Sequence, residues 1–215
     1  MVITPTEAIR RAVIDRYPFP GDRITAIPLA ASPHFQPAAV PRGNFFLFLG
    51  TIEPRKNVAG LIEAWREVRR KHPVDLVIAG RNRDAFPIPE EAGLTISGPV
   101  SEADLPALYS SALAVVYPSL YEGFGLPVLE AMQCGALAVT SRDPAIMEVS
   151  GDAALHVEAE NTRELTQTLA WIAADPEKFE DVRRRALQRA KCFSWSRTAE
   201  RTQEVYAEAR RVFRK

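Results

Sequence analysis

Short apolar runs recur along this chain from residue 45 onward and alternate with helical patterns. Phe45-Phe46-Leu47-Phe48-Leu49-Gly50 is the first. The others occupy residues 75–80, 94–98, 113–118, 136–141 and 154–157. Most of these runs are continuous, as in parallel strands covered on both faces; a half-exposed strand would alternate. Between them lie helix signals. Leu61, Trp65 and Val68 share one face of a helix opening at Asn57 or Val58. Ser101 with Asp104 caps a helix carrying Leu105, Leu108 and Tyr109, and Pro127 opens another that Gly135 ends. Asn161 with Glu164 caps the helix of Leu165, Leu169 and Ile172, and Asp175-Pro176 starts the next. Alternation of this kind predicts an α/β fold, a doubly wound parallel sheet. Ligands of such sheets bind beyond the carboxyl ends of the strands. Gly50, Gly80, Gly98 and Ser119 fall at those ends.

The chain has 215 residues, enough for one sizeable core. Lys+Arg and Asp+Glu number 27 each, so no net charge calls for a nucleic-acid partner. The longest apolar stretches, 45–49 and 113–117, are far below the ~20 residues of a membrane span. The first residues lack the basic and apolar regions of a signal peptide. Cys134 and Cys192 have no neighbouring cysteine at metal-ligand spacing and read as reduced thiols of a cytoplasmic protein.

The two ends read differently from the middle. Thr4-Pro5-Thr6-Glu7 fits a capping box with proline at the first helical position, opening a helix through Tyr17. A short strand over 23–29 follows, then a linker punctuated by Pro28, Pro33, Pro37 and Pro41. Ser194 or Ser196 opens a last helix bearing Trp195, Val205, Tyr206, Ala209, Val212 and Phe213. Its Arg210-Arg211 and Arg214-Lys215 run suits a helix C-terminus; peripheral contact with a membrane surface is the alternative, with nothing else to support it.

Two clusters carry chemistry. Glu122-Gly123-Phe124-Gly125-Leu126-Pro127-Val128-Leu129-Glu130 sets a carboxylate ahead of two glycines and a second carboxylate inside the helix. A Gly-rich entry leaves bare amides at a helix N-terminus, where phosphate binds well. Glu130 stands about 4.5 Å along the axis from Pro127, within reach of a ribose diol beside that phosphate. The same residues also make an ordinary strand-to-helix turn, and the pattern alone leaves both readings open. Gly50-Thr51-Ile52-Glu53-Pro54-Arg55-Lys56-Asn57 likewise joins a strand to a helix. Arg55 can fork onto two phosphate oxygens and Lys56 adds a point charge, or the pair is a solvated turn. The chain contains no Asp-x-Asp sequence.

Residues 117–132, Tyr117-Pro118-Ser119-Leu120-Tyr121-Glu122-Gly123-Phe124-Gly125-Leu126-Pro127-Val128-Leu129-Glu130-Ala131-Met132, closely resemble the Glu-x7-Glu motif of retaining family-4 (group 1) glycosyltransferases. The resemblance extends over the whole chain. It implies the Rossmann-like, donor-binding half of a GT-B fold. Residues 1–40 are then the end of an N-terminal domain and its linker, 41–190 the nucleotide-sugar-binding domain, and 191–215 the C-terminal crossover helix. The acceptor-side domain is the expected missing partner. The family's glycine and valine near the linker are replaced by Ala30 and Ala31.

For function the resemblance implies hexosyl transfer from a GDP- or UDP-hexose with retention, and an isolated chain that binds donor but turns over poorly. The Thr51–Asn57 wording leans toward mannosyl transfer. Arg55 and Lys56 become a diphosphate clamp that stabilises the departing anion without metal or other cofactor. Glu122 positions sugar hydroxyls. Gly50, Gly123, Phe124, Gly125, Leu126 and Glu130 line the donor site, with Arg81 and the Val100 main chain toward phosphate or base. Glu53 orients the cations or is an exposed turn residue, and Glu148 lies on a helix near the donor rim. Two alternatives remain on the same fold: a non-catalytic nucleotide-sugar-binding or regulatory module, and a sugar-nucleotide epimerase.

Overall fold

The computed structural model describes residues 1–83 and 87–213. In chain order its elements are β1 (Val2–Thr4), α1 (Glu7–Arg16), β2 (Ile24–Ala26), β3 (Phe45–Leu49), α2 (Val58–Arg69), β4 (Asp75–Ala79), β5 (Leu94–Gly98), α3 (Leu105–Ser111), β6 (Ala114–Tyr117), α4 (Leu126–Gln133), β7 (Ala138–Ser141), α5 (Pro144–Ser150), β8 (Leu155–Val157), α6 (Thr162–Ala174), α7 (Glu180–Ala190) and α8 (Trp195–Phe213). Short 3-10 turns at Gly21–Arg23, Pro54–Lys56 and Pro176–Phe179 join some of them.

Strands β3 to β8 form one six-stranded sheet in the order β5-β4-β3-β6-β7-β8, all neighbours parallel. The chain starts at β3, winds outward to β5, then returns to β6 and winds outward the other way to β8. Right-handed crossovers therefore put the connecting helices on opposite faces. Accordingly α2 packs against α6, whereas α4 packs against α3, α5 and α7. Between β3 and β6 the winding reverses, and the strand ends there open a crevice. The expected doubly wound α/β sheet is thus present, and its reversal falls beside both clusters singled out from the sequence.

Burial on both faces explains the apolar runs. Phe46, Leu47 and Phe48 of β3 are wholly buried, each contributing about 1.5–3 kcal/mol. Edge strand β5 differs: Thr95, Ile96 and Ser97 are exposed because no strand or helix covers its outer side among the described residues. Gly80 sits where β4 meets the rim, at φ +138°, and a Cβ there would lie 1.9 Å from the Gly50 carbonyl oxygen. Only glycine allows these two strand ends to approach so closely.

The N-terminal reading needs correction. Thr6, not Thr4, caps α1, its side chain accepting from the Ile9 amide, and Pro5 precedes the cap. Thr4 belongs instead to β1, a strand the sequence reading missed, which pairs in parallel with β2. The strand expected over 23–29 shrinks to Ile24–Ala26, because a 3-10 turn holds Gly21–Arg23 and its partner β1 ends at Thr4, opposite Ala26. Helix α8 folds back on this segment: Thr198 Oγ1 donates to the Pro28 carbonyl (2.8 Å) and Arg201 to that of Ala26 (2.8 Å). Val205 is buried, but Trp195 and Tyr206 are 48% and 62% exposed, so they do not share its packed face as the helical pattern suggested. Arg214 and Lys215 lie outside the described residues.

Candidate functional site

Strand ends β3 and β6 supply the first half of the site. After β3 the chain turns through Glu53 into the 3-10 turn Pro54–Lys56, which ends at Asn57 in the left-handed conformation (φ 53°). Asparagine tolerates that conformation, and its Nδ2 donates to the Ala159 carbonyl (2.6 Å), tying the turn to the start of α6. Lys56 is thereby driven inward and is 5% exposed. Its ammonium donates to both Glu122 Oε1 and the Tyr117 hydroxyl and lies 4.6 Å from the Tyr117 ring centre. Arg55 Nη1 reaches Glu122 Oε1 (3.0 Å) and donates to the Tyr121 carbonyl (3.0 Å), while Nη2 pairs with Glu53 (2.7 Å). Burial lowers the Lys56 pKa even against the opposing pull of Glu122. Burial also raises that of Tyr117, with the Glu122 carboxylate adding to it, so the phenol stays protonated.

The second half is the loop from β6 into α4. Gly125 caps α4 at φ +90°, a conformation that suits glycine. Pro127 has no N–H, and the Val128 amide bonds back to the Gly125 carbonyl (3.0 Å). Among the described residues, the Gly125 and Leu126 amides therefore have no acceptor at this helix start. Deeper in α4, Glu130 Oε2 accepts from the Tyr109 hydroxyl of α3 (2.7 Å). Burial raises the Glu130 pKa; the Tyr109 bond and the His34 charge oppose it, and Glu102 adds to it.

Two further contacts hold the loop from behind. Asp143 caps α5 through the Ala145 and Ile146 amides (2.9 and 3.1 Å), and its other oxygen accepts from the Glu122 amide (3.3 Å). Thr6 Oγ1 donates to the Gly123 carbonyl (3.0 Å). Glu148 accepts from the Glu7 and Ala8 amides (2.8 and 2.6 Å), clamping α1 to α5 beside that contact.

Gly50, Arg55, Lys56, Glu122, Phe124, Gly125, Leu126 and Glu130 line one cleft of about 420 Å³, together with Leu29, Thr51, Tyr117 and Pro127. The two sequence clusters therefore converge. Arg81 lines a neighbouring cleft of about 610 Å³ with Gly98 and Pro99, and Thr51 borders both. Gly123 stands behind the first cleft, bonded to Thr6. Val100 borders neither cleft; it packs partly buried against the core. Glu53 pairs with Arg55, as one of its two readings required. Glu148 serves α1 and not the cleft. Sequence reasoning missed Tyr117, Tyr109, Thr6 and Asp143 as supports. A hydroxyl on an otherwise apolar strand or helix face was the available signal for the tyrosines, since a buried phenol needs a partner. Among the described residues no three His, Cys, Asp or Glu side chains cluster so as to hold a metal ion.

A doubly wound sheet with its cleft at the winding reversal, cations on one rim and a Gly-capped helix on the other, defines a Rossmann-like domain of the GT-B kind. Residues 32–189 match the model of the glycosyl transferases group 1 family, and the chain belongs to that family. It is 32% identical over 230 aligned positions to an Escherichia coli O-antigen chain mannosyltransferase B, covering 96% of this chain and 60% of the relative. It is 29% identical to the MMP alpha-(1->4)-mannosyltransferase of Mycolicibacterium hassiacum, covering 97% of this chain and 54% of that protein. The chain thus spans little more than half the length of these curated relatives. Among solved structures it superposes on a sucrose-phosphate synthase from Thermosynechococcus elongatus (TM-score 0.82, 21% identity, 98% of this chain and 58% of that one). An Anabaena protein, HepE, in complex with UDP and glucose also superposes (TM-score 0.82, 18% identity, 96% and 62%). At such identities the structures establish the fold.

Proposed function

We propose that this chain is the donor-binding part of a retaining hexosyltransferase that takes its sugar from a nucleoside diphosphate. One observation carries the reading: Arg55, Lys56 and the amide-bearing start of α4 face the same 420 Å³ cleft, with Glu122 between them and Glu130 on the α4 side. The cations and the Gly125 and Leu126 amides hold the diphosphate. Glu130 accepts from the ribose hydroxyls, and the Arg81 cleft receives the base. Glu122 grips the sugar ring by its hydroxyls.

Bond cleavage leaves extra negative charge on the departing diphosphate. Fixed donors aimed there stabilise it as it develops, with no metal required. Lys56 is the strongest of these, because its burial leaves little water to screen it. Retention follows a front-face path in which the leaving phosphate assists the acceptor, so Glu122 is not a nucleophile. The mannosyltransferases among the relatives, and the UDP and glucose complex of the Anabaena neighbour, support a nucleotide-hexose; a GDP-mannose-type donor is favoured. The acceptor side is supplied by a further domain, as the partial coverage of the relatives suggests. Residues 1–40 and α8 form the crossing to that domain. The two free thiols, Cys134 and Cys192, fit a cytoplasmic protein, and among the described residues no helix is long and apolar enough to cross a membrane.

Calorimetric titration of the chain with GDP, UDP, ADP and their hexoses tests this. At least one nucleoside diphosphate should bind, and Lys56→Ala should weaken it tenfold or more, about the worth of a charge-assisted hydrogen bond. Absence of binding by all three nucleotides, or binding indifferent to Lys56, refutes the reading.

A further inference from the structure

We infer that Tyr109 is the positioning residue that fixes Glu130 for recognition of a ribose diol; this rests on the proposed role of Glu130. Tyr109 is wholly buried on α3, its ring set against Phe35 (6.0 Å between centres, edge-on). A phenol so enclosed has one orientation, and its hydroxyl donates to Glu130 Oε2 (2.7 Å). Oε1 has no partner among the described residues, and the side chain lines the cleft that holds Arg55 and Lys56.

The rest of α4 around Glu130 is also pinned. One turn on, Gln133 Nε2 donates to the carbonyls of Ser32 and Phe35 (both 2.9 Å), which fastens the linker over this part of the helix. A glutamate has three rotatable bonds and would otherwise lose that freedom when a sugar binds. Here a buried donor holds it beforehand, so the ordering is complete before the ligand arrives.

The bond acts on charge as well as on geometry. A vicinal diol donates best to an ionised carboxylate, and an O–H bonded to the anion favours that form. The groups facing Glu130 are Tyr109 from α3, Glu102 ahead of α3, His34 from the linker and Cys134 at the end of α4. Burial keeps the Tyr109 phenol protonated and pushes the Cys134 thiol up to about 12, so neither titrates near neutrality. His34 and Glu102 act on the carboxylate through charge alone.

The test compares GDP and UDP with their 2′,3′-dideoxy counterparts by calorimetry on this chain, over a range of pH and in a His34→Gln background. That background removes the imidazole whose charge acts on the same carboxylate. Glu130→Gln should abolish the preference for the ribose form. Tyr109→Phe should reduce that preference by about tenfold, and should move the pH at which it is lost upward. Site-specific 3-fluorotyrosine at 109 keeps the packing, donates more strongly, and should move that pH downward. Loss of preference in Glu130→Gln with none in Tyr109→Phe, or an unmoved pH midpoint in both Tyr109 variants, overturns the inference alone. Retention of the preference in Glu130→Gln overturns it together with the role of Glu130. A melting-temperature drop without either change assigns Tyr109 to packing and also overturns it.

Discussion

Glu122 and Glu130 stand on either side of one helix start, yet their surroundings are opposite. Glu122 is 7% exposed and held by two cations, Arg55 and Lys56, with its own amide tied to Asp143. Glu130 meets a neutral phenol, and burial pushes its pKa up. The first belongs to a network in which each charge needs the others. The second is a single anion held in a less polar wall. Identical side chains in one motif thus acquire different electrostatic surroundings from what the fold brings to them, two cations for one and a buried phenol for the other.

The largest effect is expected from breaking the network. Lys56→Ala leaves Glu122 buried with a single cation. Removing one partner of a buried pair costs about 3 kcal/mol, a fall in Tm of roughly 6–12 °C for a chain of this size, readable by calorimetry. Combining it with Glu122→Gln should recover most of that loss; a strictly additive double variant would show that the two side chains do not depend on each other.

Glu122→Gln alone sharpens the contrast. It frees Arg55 and Lys56 from their counter-charge, so a nucleoside diphosphate should bind tighter, by up to about fivefold. Sugar transfer by a complete enzyme carrying the change should fall. Weaker diphosphate binding would mean that Glu122 organises the cations more than it competes for them.

A smaller effect reaches the loop from behind. Thr6→Val removes the α1 cap and the bond to Gly123, at about 1 kcal/mol, or roughly 2–4 °C in Tm. Donor binding should weaken alongside. Unchanged binding at a lowered Tm would uncouple the N-terminal segment from the Gly123 turn.

The gentlest test is Glu130→Gln read as stability. The folded carboxyl has a raised pKa, so its stabilising contribution is complete below the unfolded value and is lost as pH rises through the folded one. Glutamine does not titrate and still accepts from Tyr109. The variant should therefore melt higher than the parent at neutral pH, with the gap closing on acidification to about pH 4. A gap that is constant with pH would show that the Glu130 charge is not strained by burial.

Much of this was legible in the chain itself. Apolar runs located the strands of the main sheet to within a residue or two. For the inner strands the reason is that burial on both faces leaves little room for polar residues, while β5 kept enough of the pattern to be found although Thr95, Ile96 and Ser97 are exposed. Caps such as Asn161 announced their helices, since an unpaired helix end must be satisfied locally. The short pieces at the N-terminus were misread. β1 is a strand because it pairs with β2, and its few residues carry too little periodicity to show it. Within the site, the cations, glycines and both carboxylates were visible as chemistry. Their supports were not. Tyr109 and Tyr117 lie in runs that read as core, Thr6 was hidden behind the cap assigned to Thr4, and Asp143 carried no signal, because each acts on a residue distant in sequence or on another element.

Sequence alone determined the strand and helix alternation, the glycine-bordered helix start and the supply of charged groups, since these follow from local backbone preferences and from periodic burial. Tertiary structure decided that the Arg55-Lys56 turn and the Glu122 loop share one cleft, because only the order of strands sets β3 beside β6. It also decided that Glu122 is neutralised by two cations while Glu130 is held by one phenol. The electrostatic character of a carboxylate depends on neighbours within a few ångströms, and folding selects those neighbours from anywhere in the chain.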